Sequence, residues 1–150
     1  MGFSDQIENF AGKTERQLNR IVRKASLALF SRIVQGTPVD TGRARGNWMI
    51  ELDGAGSGGT PFAGGQKSHG EDAIRFRNAA AATQAAIANA EAELGKFKPD
   101  TRVITIYNNL DYIVPLEYGH SQKQAPEGMV RLACAEFPGI VAELSRDEEA

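Results

Sequence analysis

TPVDTGRARGNW, residues 37–48, separates two segments of different hydrophobic periodicity and thereby decides the fold. Before it, apolar residues recur at steps of three and four, which predicts one long helix over residues 4–36. After it, residues 47–52, NWMIEL, alternate so that Trp48 and every second residue after it share one face, which predicts a strand. The Asp, Thr and Gly at positions 40–42 are turn residues, so the stretch forms the loop that turns the helix into the first strand.

The length of the predicted helix has a consequence for its surroundings. Gly36 favours the end of the helix, and Pro38 prevents its continuation. At ~1.5 Å per residue the helix spans roughly 48 Å, whereas a compact domain of this size is only about 40 Å across. Two arrangements remain open: part of the helix overhangs and touches a neighbouring molecule, or it lies across the sheet and is broken near Gly12.

The middle of the chain is a Gly-rich insertion followed by a helix. Residues 53–70 hold seven glycines and predict a loop, and residues 73–94 are Ala-rich and helical, with few large apolar groups. We therefore expect this helix on the surface or against another chain. Residues 54–59 satisfy the G-x-G-x-x-G pattern of dinucleotide-binding loops, but no helix opens directly after them, so no such site is predicted.

The last third predicts a strand pair over residues 101–119 and a C-terminal helix over residues 126–146. Its first strand, RVITIY at 102–107, is rich in β-branched residues and is expected to be covered on both faces. The second, YIVPLEY at 112–118, contains Pro115, which favours a sheet edge or a sharp bend. In the helix, Pro138 is expected to cause a break or kink at Phe137. The order of elements predicts a single α+β domain over residues 1–150, with the two terminal helices packed on a small antiparallel sheet.

Composition excludes several classes of protein. The 150 residues carry a net charge of −2, with a sequence pI near 5.7, which disfavours a dedicated duplex-DNA binder. The charge is graded along the chain, at +4, −2 and −4 for successive thirds of 50 residues. This gradient suits head-to-tail packing of identical subunits, although a solvated basic helix and an acidic tail would give the same numbers. No apolar run approaches the ~18 residues of a membrane span, and no signal peptide is predicted.

Candidate catalytic and metal-binding residues are few. The single cysteine, Cys134, excludes an internal disulfide and is expected to be buried and inert beside Leu132 and Ala133. His69 and His120 belong to no ligand-spacing motif. Asp40 and Glu117 can be imagined as an acid–base pair, but Asp40 is more simply a turn residue. We therefore predict no enzyme activity, no metal and no cofactor.

Basic residues offer a possible contact with phosphate. Arg43 and Arg45 follow the turn, where a salt bridge or a contact with a neighbouring subunit is the favoured interpretation. A nucleic-acid-binding module would instead need the basic residues of the first helix to act as one surface, and the low pI counts against that reading. These residues are Arg16, Arg20, Arg23, Lys24 and Arg32.

Two segments taken together carry a resemblance to a known family. The first is TPVDTGRARGNW at 37–48, directly after a long amphipathic helix, and the second is IYNNLDYIVPLEYGH at 106–120. The chain resembles the tail-completion and neck proteins of tailed bacteriophages, minor tail components that join head and tail. Their pattern reads T-P-V-D-T-G-x-[LA]-[RK]-x-[SN]-W and then [IV]-x-N-x-x-x-Y-[AI]-x-x-[LV]-E-[YF]-G. The likeness runs in order along essentially the whole chain, apart from the insertion at 53–70 and the helix after it, which we interpret as a docking arm.

The resemblance implies a function in the virion. It implies a homo-oligomeric ring, sixfold or twelvefold, at the head–tail junction, between head-side connector or stopper proteins and a tail terminator or tail tube protein. Genomic DNA would pass through the ring without sequence-specific binding, and no membrane or cofactor would be involved. The protein would be found in the neck or tail of the virion, and in the host cytoplasm during assembly. A tail terminator or another minor tail protein is the alternative.

The same resemblance implies structural and interface residues instead of catalytic ones. Within them, we expect Trp48 to anchor the core, Asn108 to form a turn, the two tyrosines to pack with a polar tip exposed, and Gly119 to permit a bend. The full set is Thr37, Pro38, Asp40, Thr41, Gly42, Arg43, Trp48, Asn108, Tyr112, Glu117, Tyr118 and Gly119.

Overall fold

The computed structural model describes residues 2–38, 43–60, 72–118 and 127–149. Within them the chain is α+β, as predicted, with long helices at both ends of the chain and a small antiparallel sheet. The terminal helices pack chiefly against each other, and the sheet packs chiefly against the Ala-rich helix that lies between them in sequence. The elements in chain order are α1 (Phe3–Gly36), α2 (Arg43–Gly46), β1 (Met49–Leu52), α3 (Asp72–Leu94), β2 (Ile104–Tyr107), α4 (Ile113–Glu117) and α5 (Val130–Glu149).

The long first helix is continuous. It runs from Phe3 to Gly36 without a break at Gly12, which excludes the broken arrangement. Its 34 residues span about 51 Å at ~1.5 Å per residue. The helix ends because the Thr37 hydroxyl donates to the carbonyl of Ile33 at 2.7 Å and the Thr37 amide donates to the carbonyl of Val34 at 3.1 Å. These bonds use two of the carbonyls that a helix C-terminus leaves unpaired.

The two strands pair with each other in antiparallel register. Met49 lies opposite Tyr107 and Leu52 lies opposite Ile104, so the predicted strands exist but are two residues shorter than expected. The expectation that 102–107 is covered on both faces is wrong, because all four residues of β2 are only half-buried in a sheet of two strands. Asp53, with a positive φ of 54°, ends β1, and its carboxylate accepts the amides of Arg102 and Val103.

The predicted strand at 112–118 is wrong: this segment forms the short helix α4. The Ile113 amide donates to the carbonyl of Leu110, and the Leu116 amide donates to the carbonyl of Tyr112. Pro115 is the third residue of α4, in the first turn, where an amide has no helical acceptor and a proline removes nothing. The strand pair predicted over 101–119 is therefore a strand and a helix, and β2 pairs with β1 instead.

The described half of the glycine loop folds back on the sheet. The Gly56 amide donates to the Glu51 carboxylate, and the Asn109 amide group donates to the carbonyls of Gly56 and Gly58. Gly56 has a φ of +75°, and a Cβ there would lie 2.9 Å from the Tyr107 ring. The glycines at 56 and 58 thus let the loop lie against an aromatic ring of β2. The remainder of the predicted loop, residues 61–70, lies outside the described residues.

The Ala-rich helix α3 packs into the body of the domain, contrary to the expectation of a surface position. It contacts α1, α2 and β1. Residues four apart on one face are buried, and their small side chains allow a close approach of these elements. They are Ala82, Ala86, Ala90 and Leu94. Apart from Leu94, the large side chains of the core come from other elements, and they include Phe30, Ile33, Trp48, Ile50 and Met129.

The last helix is also continuous, so Pro138 does not break it at Phe137, and the other expected outcome, a kink there, stays a prediction. Pro138 lies on the exposed side of α5, and ion pairs before and after it connect α5 to α1. These pairs are Arg32–Glu136 at 3.0 Å and Glu148 with Arg20 and Lys24. Cys134 is exposed, not buried, because Ala133 occupies the inward position of that turn.

The Thr37–Trp48 contact gives a stability prediction. Thr37→Val removes the acceptor of the buried Trp48 indole N–H at 2.8 Å, so we expect unfolding free energy to fall by about 1–3 kcal/mol. Thr37→Ser keeps the hydroxyl and should lose only about 0.8 kcal/mol for the missing methyl group. Urea titration read by the fluorescence of Trp48, the single tryptophan, measures both variants. A valine variant as stable as the wild type would contradict this account.

Candidate functional site

The junction at the end of α1 gathers three of the predicted residues. Thr37 is buried and joins the helix end to Trp48, which is the core anchor that the sequence predicted. Pro38 is half-buried beside them. Asp40, Thr41 and Gly42 lie outside the described residues, as do Gly119, His69 and His120. The part of the first motif that the structure describes is therefore a fold determinant.

Arg45 is a structural residue, whereas the sequence had suggested a contact with phosphate, or else a salt bridge or a contact with a neighbouring subunit. Its guanidinium donates to the carbonyls of Gln35 and Thr37 at 2.8 and 2.9 Å and to the Thr83 hydroxyl at 3.3 Å. It thereby caps the C-terminus of α1, where the helix dipole favours positive charge, and links it to α3. Burial lowers the pKa of Arg45 from its ordinary value. Arg43, also predicted as a site residue, is exposed on α2.

Asn108 connects the two motif segments. Its side-chain amide donates to the carbonyl of Ala44 at 2.9 Å, and its side-chain oxygen accepts the Leu110 amide at 3.1 Å. The predicted turn is thus present, although it joins β2 to α4 instead of to a second strand. Asn47, which the sequence analysis did not single out, is fully buried and donates to the carbonyl of Arg43 at 2.8 Å.

Glu117 caps the N-terminus of α5. Its carboxylate accepts the backbone amides of Met129, Val130 and Arg131 at 2.9, 2.8 and 2.9 Å. These are amides that a helix N-terminus leaves without partners, and a negative charge there is stabilised by the helix dipole. The cap is non-local, because it comes from α4 and closes the stretch of chain between the two helices.

Arg131 completes the closure from the side of α5. Its Nε donates to the Glu117 carboxylate at 3.1 Å and its Nη2 donates to the Glu117 backbone carbonyl at 2.6 Å. Gly128, with a φ of +80°, precedes the helix, and a Cβ there would collide with the carbonyl of Glu117. We call this arrangement of Glu117, Gly128 and Arg131 the Glu117 cap.

The pKa of Glu117 reflects this environment. Partial burial alone would raise the pKa of its carboxyl, but the three backbone amides and Arg131 outweigh burial and hold the pKa below its ordinary value. The charged form is therefore bound more strongly in the folded state than in the unfolded chain. Neutralising this carboxylate must weaken the attachment of α4 to α5.

The surface of α4 around this cap is apolar and exposed. Tyr118 is 69% exposed and Val114 is 59% exposed, and Tyr112 and Leu132 are also exposed large hydrophobic residues. Tyr112 precedes α4 and Tyr118 follows it. Tyr112, at 38% exposure, is still mostly covered, whereas Tyr118 is covered much less than the expected packing with only a polar tip exposed would require. The Arg131 guanidinium lies 5.0 Å from the centroid of the Tyr118 ring, so the cap also supports that ring.

The middle of α1 carries two further surfaces. Leu18, Val22 and Ala25 form an apolar stripe along one side of the helix. Leu18 and Val22 are 56% and 39% exposed, whereas Ala25 is buried. On another side, Arg20 and Lys24 pair with Glu148 at 3.0 and 3.1 Å. The hydrogen bonds from Lys24 and Arg20 lower the pKa of Glu148. Part of the charge gradient is thus neutralised within the chain.

Neither a search for metal sites and membrane spans nor the comparisons with known proteins indicates a function. Within the described ranges no group of three His, Cys, Asp or Glu residues is placed to hold a metal ion. No described helix is both long and apolar enough to cross a bilayer. Comparison with protein-family profiles, with curated proteins and with solved structures finds no match to this chain.

The Glu117 cap gives a prediction with a defined pH dependence. Glu117→Gln should lower the unfolding free energy at pH 7 by about 1–2 kcal/mol, because a neutral amide binds the three amides and Arg131 less strongly. Since the pKa is lowered on folding, this stabilisation is present above the ordinary glutamate pKa of 4.5 and is lost as pH falls below it. The two proteins should therefore converge in stability in acid.

Urea titrations at pH 7 and at several lower pH values measure this difference. Glu127→Gln is the matched control, since Glu127 is exposed and lies next to Gly128. A constant gap between wild type and the Glu117 variant at every pH would contradict the role of the charge.

Proposed function

We propose that this chain is a structural virion protein of a tailed bacteriophage, a tail-completion or neck component that forms a ring at the head–tail junction. The ring joins head and tail around the DNA channel, between head-side connector or stopper proteins and the tail terminator or tail tube protein. Sixfold or twelvefold symmetry, and a location in the neck or tail of the virion, are parts of the same proposal. A tail terminator or another minor tail protein is the alternative within the class.

The observation that carries the proposal is that the second motif contains one residue held by hydrogen bonds and two aromatic residues that are exposed. Glu117 is fixed by four hydrogen bonds, whereas Tyr112 and Tyr118 on either side of α4 are exposed. A motif that served only the core would have buried its aromatic residues. A rigid helical turn that presents apolar side chains is typical of a contact surface.

The length of α1 supports contact between subunits. The pair between Arg20 and Glu148 marks where the end of α5 lies along α1, and seventeen residues of α1 precede Arg20. At ~1.5 Å per residue, the helix extends about 25 Å beyond that point. The exposed Leu18 lies at the start of this extension, and the exposed Val22 lies one turn of the helix to its C-terminal side. A head-to-tail contact between unlike surfaces of identical subunits, repeated with closure, gives a ring.

The charge gradient supports the proposal less than the sequence indicated. Arg20, Lys24 and Arg32 are paired with carboxylates of α5 in the same chain. Exposed ion pairs of this kind contribute little free energy, and each carboxylate offsets part of the positive charge that could attract a neighbouring subunit. The apolar surfaces of α4 and α1 are therefore the better candidates for subunit contacts.

Deletion of the gene from the phage that encodes it tests the function. We expect electron microscopy of the lysate to show filled heads beside complete but unattached tails. Complementation with the wild-type gene should restore joined virions. Normally joined particles in the deletion lysate would exclude the joining role, and heads joined to tails of abnormal length would favour the tail terminator instead.

The exposed face of α4 gives a residue-level prediction. The double change Val114→Ser, Tyr118→Ser should leave thermal stability within about 1 kcal/mol of wild type, because both side chains are exposed. It should nevertheless prevent joining in the complementation assay. Val103→Ser, at an exposed residue just before β2, is the matched control and should complement. Complementation by the double variant would remove α4 from the interface.

A further inference from the structure

An open groove with a volume of about 490 Å³ lies between α1 and the loop after α3. One wall is a single face of α1, and the opposite wall holds Phe97 and Pro99. The lining residues of α1 are Arg16, Asn19, Arg20, Arg23 and Lys24. We call it the basic groove, because four of its lining residues are cations.

The cations form an extended row instead of one cluster. Arg16, Arg20, Arg23 and Lys24 stand at positions i, i+4, i+7 and i+8, so they share one side of the helix. From the first to the last, the row is about 12 Å long at ~1.5 Å per residue. One small anion cannot reach all four side chains, whereas a chain of repeated negative charges can.

One carboxylate of the same chain pairs with two of these cations. Glu148 bridges Arg20 and Lys24 at 3.0 and 3.1 Å. Arg16 has no carboxylate partner among the described residues, and Arg23 lies with its guanidinium 6.0 Å from the centroid of the Phe97 ring. One negative charge against four positive charges leaves the groove electropositive within an acidic protein.

We propose that the basic groove binds the phosphodiester backbone of DNA without regard to sequence. Arginine is suited to phosphate because its planar donors bind two oxygens at once. A DNA duplex presents about one negative charge per 1.7 Å of its axis, and therefore roughly seven along the row of cations. That DNA is the source of the phosphates rests on the proposed function, in which the groove faces the channel.

An acidic segment of a second copy of the chain is a weaker occupant. Its best candidate is the end of α5, which already supplies Glu148 to Arg20 and Lys24 from within the same molecule. An intramolecular ligand competes at a high effective concentration, so the same segment from another copy is disfavoured. The duplex has a higher density of negative charge than the end of α5. It can also bind Arg16 and Arg23, which have no carboxylate partner among the described residues.

Fluorescence anisotropy with a labelled random-sequence duplex of about 25 base pairs, at roughly 50 mM salt, tests the proposal on the purified chain. Arg16→Gln, Arg23→Gln should weaken binding at least about tenfold and lower the slope of log K against log salt by about 1.8, for two phosphate contacts. Glu148→Gln should strengthen binding about threefold or more, because it removes the competing carboxylate. Arg102→Gln, at an exposed arginine that does not line the groove, is the matched control.

Several outcomes would overturn the proposal. These are no binding of the duplex by the wild type, equal affinities of the double variant and the Arg102 control, or weaker binding after Glu148→Gln. A hexaglutamate peptide that binds as tightly as the duplex, and loses affinity in the double variant, would make the groove a site for acidic protein segments instead. Because purified chain is measured, these results are independent of whether the deletion phage fails to join heads and tails.

Discussion

The hydroxyl of Thr37 ends one element and positions the next, and the rest of the fold follows from it. It donates to the last turn of α1 and accepts the indole N–H of Trp48 from the start of the sheet. Arg45 caps the same helix end and reaches α3, so three elements meet at one point. The direction of α1 relative to β1 is therefore set by buried hydrogen bonds, which cost free energy when left unpaired. Along α1 from this junction, α5 packs antiparallel as far as Arg20.

The parts of the fold that depend on local periodicity were predictable from sequence. The bounds of α1 and α3, the two strands and the anchoring role of Trp48 all follow from apolar spacing and turn residues. The α4 segment was mispredicted, because Pro115 and the β-branched residues around it fit an extended edge as well as the first turn of a helix. Burial of Arg45 and exposure of Cys134 depend on which side of a helix meets the core, which the local pattern did not reveal.

The candidate site was predictable only as a set of residues, since its geometry is made by distant parts of the chain. Glu117 accepts the amides of residues 129–131, and no local rule relates a glutamate to a helix that begins thirteen residues later. The Glu117 cap fixes α4, and α4 presents Val114 and Tyr118 to the outside. The basic groove lies on α1 about 25 Å, at ~1.5 Å per residue, from the helix end near this cap. A chain with an exposed apolar surface at one end and a cationic groove towards the other suits the ring around DNA that we propose.

The central claim is that α4 forms a subunit contact in a ring at the head–tail junction. A cryo-electron microscopy reconstruction of the neck, in the phage that encodes this chain, tests it most directly. The account predicts a ring at the junction into which this fold fits, with Val114 and Tyr118 buried against a neighbouring subunit. A neck without this fold, or a ring in which both side chains face solvent, would contradict it.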